Sequence, residues 1–295
     1  MTEAIVQQGI LDPLPAHANY LIFHLRPGAD YRKALQNVAS LVDGKKVVLG
    51  IGLRTVKALK KHVNNLRDFP VFPDALVNLP ANKAAIWCWL RESQRGALVK
   101  QTQRVVEALS GAFELDECVD AFKFDSGRDL TGYEDGTENP QDQAAIDAAI
   151  VQNQGPGQDG ASFVAVQQWL HHWDQFNAMS PVQRDDAIGR RISDNEEMEE
   201  APESAHVKRT AQESFEPEAF VLRRSMPWSR GHMSGFYFVA FGNTLDAFEA
   251  QLKRMSGAED GIVDGLFEFS EPQTGSYFWC PPMRDGVVDL SLILD

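Results

Sequence analysis

The sequence predicts an α+β protein made of two tandem ferredoxin-like modules with antiparallel sheets. Two observations predict it: a strand, a helix and a Ser-Gly stop recur in both halves, and each half opens on a further strand and helix. Ala84–Leu90 (AAIWCWL) is a short aromatic-rich run of strand character. Leu98, Thr102, Val105, Val106 and Leu109 follow at helical spacing, and Ser110-Gly111 ends that helix. In the second half Gly235–Phe241 (GFYFVAF) is the strand. Leu245, Phe248, Leu252 and Met255 mark the helix face, and Ser256-Gly257 is the stop. The openings are a strand over Asn19–Leu25 with a helix over Tyr31–Val42, and a strand over Ala161–Trp169 with a helix over Pro181–Arg191. The order strand, helix, strand, strand, helix, strand is a split βαβ unit. Helices would cover one face of each sheet and leave the other faces to meet or to enclose a ligand. The turn-rich connector Gln141–Gly160, containing GPGQDG, divides the chain into residues 1–150 and 151–295. Val287–Leu294 reads as a last strand.

Composition narrows the function. The 295 residues are 43% hydrophobic, enough for a sizeable core, and carry a net charge of −14. So acidic a chain is not expected to bind nucleic acid or an anionic membrane surface, since both need a basic face. The three cysteines, Cys88, Cys118 and Cys280, form neither a CxxC pair nor a zinc spacing, which fits a reducing cytosol. With no secretory signal and no apolar run of about 18 residues, the expected location is cytoplasmic. The acidic run Asp194–Glu203 reads as a solvated loop leading into Ser204-Ala205-His206.

Three stretches carry polar groups with chemical potential. The seven histidines include no HExxH pair, and GxSxG, GxGxxG and Walker A patterns are absent. Taken singly, each histidine is more often structural than a ligand. Asp129–Pro140 (DLTGYEDGTENP) places glycines around Asp135. It reads either as a plain turn or as backbone shaped to approach a planar ligand. In Ala219–Trp228 (AFVLRRSMPW) strand alternation puts Arg223 and Ser225 on one face and Arg224 on the other. Arg224 suits a surface salt bridge. A buried Arg223 requires an anionic partner or ligand.

Together these stretches resemble the dye-decolourising peroxidase family, in particular its shorter bacterial members, over nearly the whole chain. The family's G-x-x-D-G motif is matched by Gly132-Tyr133-Glu134-Asp135-Gly136, continuing as DGTENP. His206, in ESAHVKR, falls at the family's proximal haem ligand, and Arg223 and Ser225 fall at its distal arginine and polar neighbour. Phe267–Pro281, ending QTGSYFWCPP, looks like the closing strand region.

The resemblance implies one haem b per chain, held mainly by the C-terminal module with His206 on iron. Asp264 is either the acceptor for the other ring nitrogen of His206 or an ordinary helix or turn residue. Asp135 would move the peroxide proton. Arg223 would stabilise developing negative charge, and Ser225 would orient a distal water. Gly136 would let the backbone approach the haem, and Arg190 and Asn139 are candidates to meet its propionates. The implied reaction reduces hydrogen peroxide and oxidises dyes, phenolics or porphyrinogens by one-electron steps, in a homodimer or larger homo-oligomer. Two other readings stand beside it: a haem-handling protein that carries haem or releases its iron, and a ferredoxin-like binding module without haem.

Overall fold

A computed structural model describes residues 5–295. The first half comprises β1 (His17–Leu25), α1 (Tyr31–Ala39), β2 (Val47–Ile51), α2 (Leu53–Ala58), β3 (Ile86–Glu92), α3 (Arg95–Leu109) and β4 (Phe113–Phe122). Next come α4 (Asp142–Ala149), β5 (Ser162–His171), α5 (Trp173–Ala178), α6 (Pro181–Ile188) and α7 (His206–Arg209). The chain closes with β6 (Leu222–Arg223), β7 (Met226–Arg230), β8 (Met233–Gly242), α8 (Asp246–Met255), β9 (Ser270–Pro272), β10 (Ser276–Cys280), β11 (Met283–Arg284), β12 (Val287–Val288) and α9 (Ser291–Leu294).

Local chemistry explains where several elements start and stop. Asp30 caps α1 by accepting from the Lys33 amide. Ser180 and Gln183 form a reciprocal capping box on α6, Pro181 sits inside its first turn, and Gly189 ends it at φ 87°.

The architecture is α+β, with antiparallel strands joined into one barrel-like sheet. The first-half strands run β4-β1-β3-β2 and the second-half strands run β10-β5-β8-β7. Two narrow seams join them, Ile51 against Trp279 and Ala121 against Trp228. Within the second half β5 and β8 pair over eight positions, from Phe163↔Gly242 to Leu170↔Gly235. Because side chains alternate along each strand, every strand buries one row inside the ring. Tyr20, Trp87, Trp89, Tyr237, Phe241 and Phe278 fill that interior, with Tyr20 stacked on Tyr237 at 3.9 Å. The opposite rows, such as Leu21, Phe23, Cys88 and Leu90, belong to the outer core with Leu35 and Val38 of α1 and Leu98 and Val105 of α3. In the second half, α8 stands over the outer face of β5 and β8 and walls off a cleft there.

Three expectations change. The connector Gln141–Gly160 holds a helix, α4, whose Ala145 and Ala149 are buried. Val287–Leu294 is a two-residue strand followed by a helical turn. Among the described residues Arg224 has no salt-bridge partner: it is half-buried and donates to the carbonyls of Ile10 and Leu11. Burial, reinforced by the nearby Arg91, pulls its pKa down to about 10. The acidic run 194–203 is mostly exposed loop, as its charge requires.

Candidate active site

A cleft opens between the outer face of β5 and β8, helix α8, and the 129–135 loop. Trp169, Phe236, Phe238, Phe248, Met255 and Leu266 give it apolar walls, and Asp135, His206 and Arg223 all reach it. His206 begins α7, immediately after the loop that the acidic run occupies. Gly265 ties this region to its neighbour by donating its amide to the Ser204 carbonyl. A Cβ on Gly265 would lie 2.7 Å from the Ala187 carbonyl oxygen, so only glycine lets this turn press against the end of α6.

That turn carries Asp264, which does both things the sequence left open. Its Oδ1 accepts the Leu266 amide at 2.8 Å and caps the turn, while its Oδ2 lies 2.8 Å from His206 Nδ1. The Asp264 side chain is fully buried, 0% exposed. The carboxylate assigns the proton to Nδ1, leaving Nε2 as the imidazole nitrogen available to the cleft.

Arg223 Nη1 lies 3.4 Å from Asp135 Oδ1, with both side chains largely buried. Arg223 Nε is buried without a partner, as is Gln167 Nε2 on the same cleft wall. Two orphaned donors in one apolar cleft point to an acceptor-bearing ligand there. Asn139 fixes the Arg223 backbone, accepting its amide at 2.7 Å and donating to its carbonyl at 3.0 Å. Gly136 is required beside it: φ is 73°, and a Cβ would sit 2.6 Å from Asn139 Nδ2. The glycine after Asp135 therefore makes room for this clamp. Asn139→Ala is expected to loosen the Arg223 backbone and to cost about 1–3 kcal/mol of stability for the two lost hydrogen bonds, read by urea unfolding.

Two predicted residues sit differently from expectation. Ser225 keeps Arg223's side of the ladder, but its buried Oγ accepts the Val239 amide and it does not line the cleft. Arg190 lines an adjoining pocket that shares Asp135, His206 and Arg223 with the cleft, and there Glu138 and Glu197 already hold its guanidinium at 3.1 and 2.5 Å.

The cleft also contains a pair that sequence reading missed. His171 Nε2 lies 2.9 Å from Asp129 Oδ2, and its Nδ1 lies 2.9 Å from Ser270 Oγ. Burial pushes the Asp129 carboxyl up, but His171 and the hydrogen bonds from Thr131 outweigh it and hold the group below its usual range. A depressed folded pKa adds stability above the ordinary value of 3.8, and that stability is lost as pH falls through the lower folded value. Asp129→Asn should therefore flatten the acid limb of stability between about pH 2 and 5, measured by urea unfolding across that range. The signal was present in Ser162–His171: Gln167, Trp169 and His171 alternate along a strand, with Val164, Val166 and Leu170 on the opposite row.

Among the described residues no group of three or more His, Cys, Asp or Glu could hold a bare metal ion. None of the helices described is long and apolar enough to cross a membrane.

The chain is 28% identical to a dye-decolorizing peroxidase of Rhodococcus erythropolis over 297 aligned residues, covering 94% of this chain and 86% of that one. A dye-decolorizing protein from V. cholerae superposes with a TM-score of 0.85 at 24% identity, covering 97% of this chain and 98% of that one. A DypB variant of Rhodococcus jostii RHA1 in complex with heme superposes with a TM-score of 0.83 at 24% identity, covering 92% and 94%. The model of the C-terminal part of Dyp-type peroxidases matches residues 126–285, more than half the sequence and the stretch bearing Asp135, His206 and Arg223, so the chain belongs to the Dyp-type peroxidase family.

Proposed function

We propose that the protein is a haem-dependent peroxidase that reduces hydrogen peroxide and oxidises dyes, phenolics or porphyrinogens by one-electron steps. The observation that carries this reading is one cleft holding a carboxylate-backed imidazole together with a carboxylate–guanidinium pair. The residues fit haem b, one per chain. A single imidazole would suit an iron that arrives with its own macrocycle, the walls are apolar, and Arg223 Nε and Gln167 Nε2 are buried donors without acceptors among the described residues. Bound haem would supply the iron on which peroxide is reduced and the oxidising equivalents that donors consume.

The protein's own residues divide the remaining work. His206 Nε2 would hold the iron, and Asp264 would orient the ring and raise its basicity. Asp135 accepts a proton from one peroxide oxygen and returns it to the other. Arg223 cannot give up its proton and acts by charge alone. The 3.4 Å contact couples the two: once Asp135 takes a proton its pull on Arg223 falls, and the guanidinium is released toward the anion. Asn139 keeps Arg223 in place, and Gly136 admits Asn139. The buried Ser225 hydroxyl serves the sheet, so Arg223 and Asp135 carry the peroxide chemistry between them. Arg190 is proposed to meet a propionate in exchange for Glu138 or Glu197.

We also propose that the two halves, residues 1–150 and 151–295, are tandem ferredoxin-like modules; matching four-strand sets on either side of the seams support this. A cytoplasmic setting is proposed from the sparse unpatterned cysteines, and a homodimer or larger assembly from the tendency of such sheets to associate.

The test against the haem-handling alternative is chromatographic. Protein incubated with one equivalent of haemin, peroxide and a phenolic donor should yield oxidised donor with haem intact. Free porphyrin with little oxidised donor would favour iron release.

A further inference from the structure

We infer that Tyr133 is the side chain through which one oxidising equivalent leaves the cleft, with Asp185 as the base that takes its phenolic proton. The inference rests on the peroxidase reading and names a residue role beyond it. Losing an electron turns a phenol into a very strong acid, so a tyrosine in a low-dielectric wall is oxidised readily only if its proton has somewhere to go. The five tyrosines differ sharply on this point. Tyr20 and Tyr237 are stacked inside the barrel, and among the described residues the buried hydroxyls of Tyr20 and Tyr277 have no partner in hydrogen-bonding geometry, although Glu249 lies near Tyr277. Tyr31 donates to the backbone carbonyl of Arg26, which is no base at ordinary pH. Among the described residues Tyr133 is the tyrosine whose hydroxyl makes a well-formed hydrogen bond to a carboxylate, donating to Asp185 Oδ1 at 2.5 Å.

Its placement fits the role. Tyr133 lines the cleft two residues before Asp135 and is 5% exposed, while Asp185 lies on α6, half-buried and steadied by the Ile192 amide at 3.1 Å. One end of the pair therefore meets the cleft and the other approaches solvent. Burial and the adjacent carboxylate push the phenol pKa up, so it keeps its proton until oxidised.

The step balances. One electron passes from the Tyr133 ring to the one-electron oxidant that peroxide generates in the cleft. The phenolic O–H bond breaks, and its proton goes to Asp185 Oδ1. A neutral phenoxyl radical and a carboxylic acid remain, and one electron from an external donor returns both to the starting state. The half-buried Trp173 and the buried Phe176 and Phe269 share a cluster with Tyr133, which keeps water from the radical.

Freeze-quench paramagnetic resonance on the haem-loaded protein, after one equivalent of peroxide and no donor, tests this, with the optical spectrum recorded in parallel. The wild type should give a tyrosyl signal that narrows with ring-deuterated tyrosine. Tyr133→Phe should abolish it and Tyr277→Phe should leave it. Asp185→Asn should slow its appearance on the order of a hundredfold, the scale of a lost general base, with the peroxide-induced optical change unaltered. A signal that persists in Tyr133→Phe, or that forms at the wild-type rate in Asp185→Asn, overturns the inference. A normal optical change without any tyrosyl signal sinks this inference alone. Failure to bind haem or respond to peroxide sinks the peroxidase reading with it.

Discussion

Arg223→Leu and Asp135→Asn are each expected to slow peroxide consumption by about two to three orders of magnitude while haem stays bound. The arginine supplies fixed positive charge where negative charge develops, and one such preorganised group is worth about 10²- to 10³-fold in rate. The carboxylate supplies the proton relay, worth about 10²- to 10⁴-fold. Because the two groups touch at 3.4 Å, their losses should not add. The double variant is expected to fall only slightly below the slower single one. Initial rates against peroxide concentration decide it: the loss should appear in kcat/KM for peroxide, with donor saturation unchanged. A double variant whose loss equals the product of the singles would mean the groups act separately.

Asp264→Asn is expected to weaken haem binding by about 10- to 100-fold, the usual cost of removing the partner that orients a metal-bound imidazole. The effect is large because Asp264 is fully enclosed and has two tasks, holding His206 Nδ1 and capping the turn at Leu266. Asparagine retains one acceptor for that turn but no charge opposite the ring. His206→Ala removes the ligand itself and should abolish the ligated spectrum. Haemin titration followed in the Soret region separates the cases. Asp264→Asn with wild-type affinity would show that His206 is positioned by its loop alone.

The strands whose hydrophobic runs are longest were readable from sequence. Ile86–Glu92 and Met233–Gly242 are buried along most of their length, and their helices, α3 and α8, carry clean apolar faces. The joining of the two halves was not readable. Each seam rests on a single residue pair in long-range register, Ile51–Trp279 and Ala121–Trp228, and no local pattern encodes it. The α4 helix was hidden by the turn-rich GPGQDG that follows it, although its own alanines favour a helix.

At the site, His206, Asp135 and Arg223 were visible because motif order along the chain carries them, and Asp264 because the family resemblance points to it. Asn139 was chosen for the right stretch, yet its task, clamping the Arg223 backbone 84 positions away, belongs to tertiary structure. Ser225 followed strand alternation correctly, but rotation of its hydroxyl toward Val239 is a side-chain choice that alternation does not determine. Tyr133 with Asp185 and His171 with Asp129 each pair residues from separate elements, and neither partner is unusual alone.

The central claim is that His206 carries a haem on which peroxide is reduced. Stopped-flow optical spectra of the haem-loaded protein with one equivalent of peroxide, run beside His206→Ala, test it most directly. The account predicts a ferric Soret band that shifts within milliseconds in the wild type, and loss or mis-ligation of haem in the variant. Haem that binds equally well to both proteins and only bleaches slowly with peroxide would contradict it.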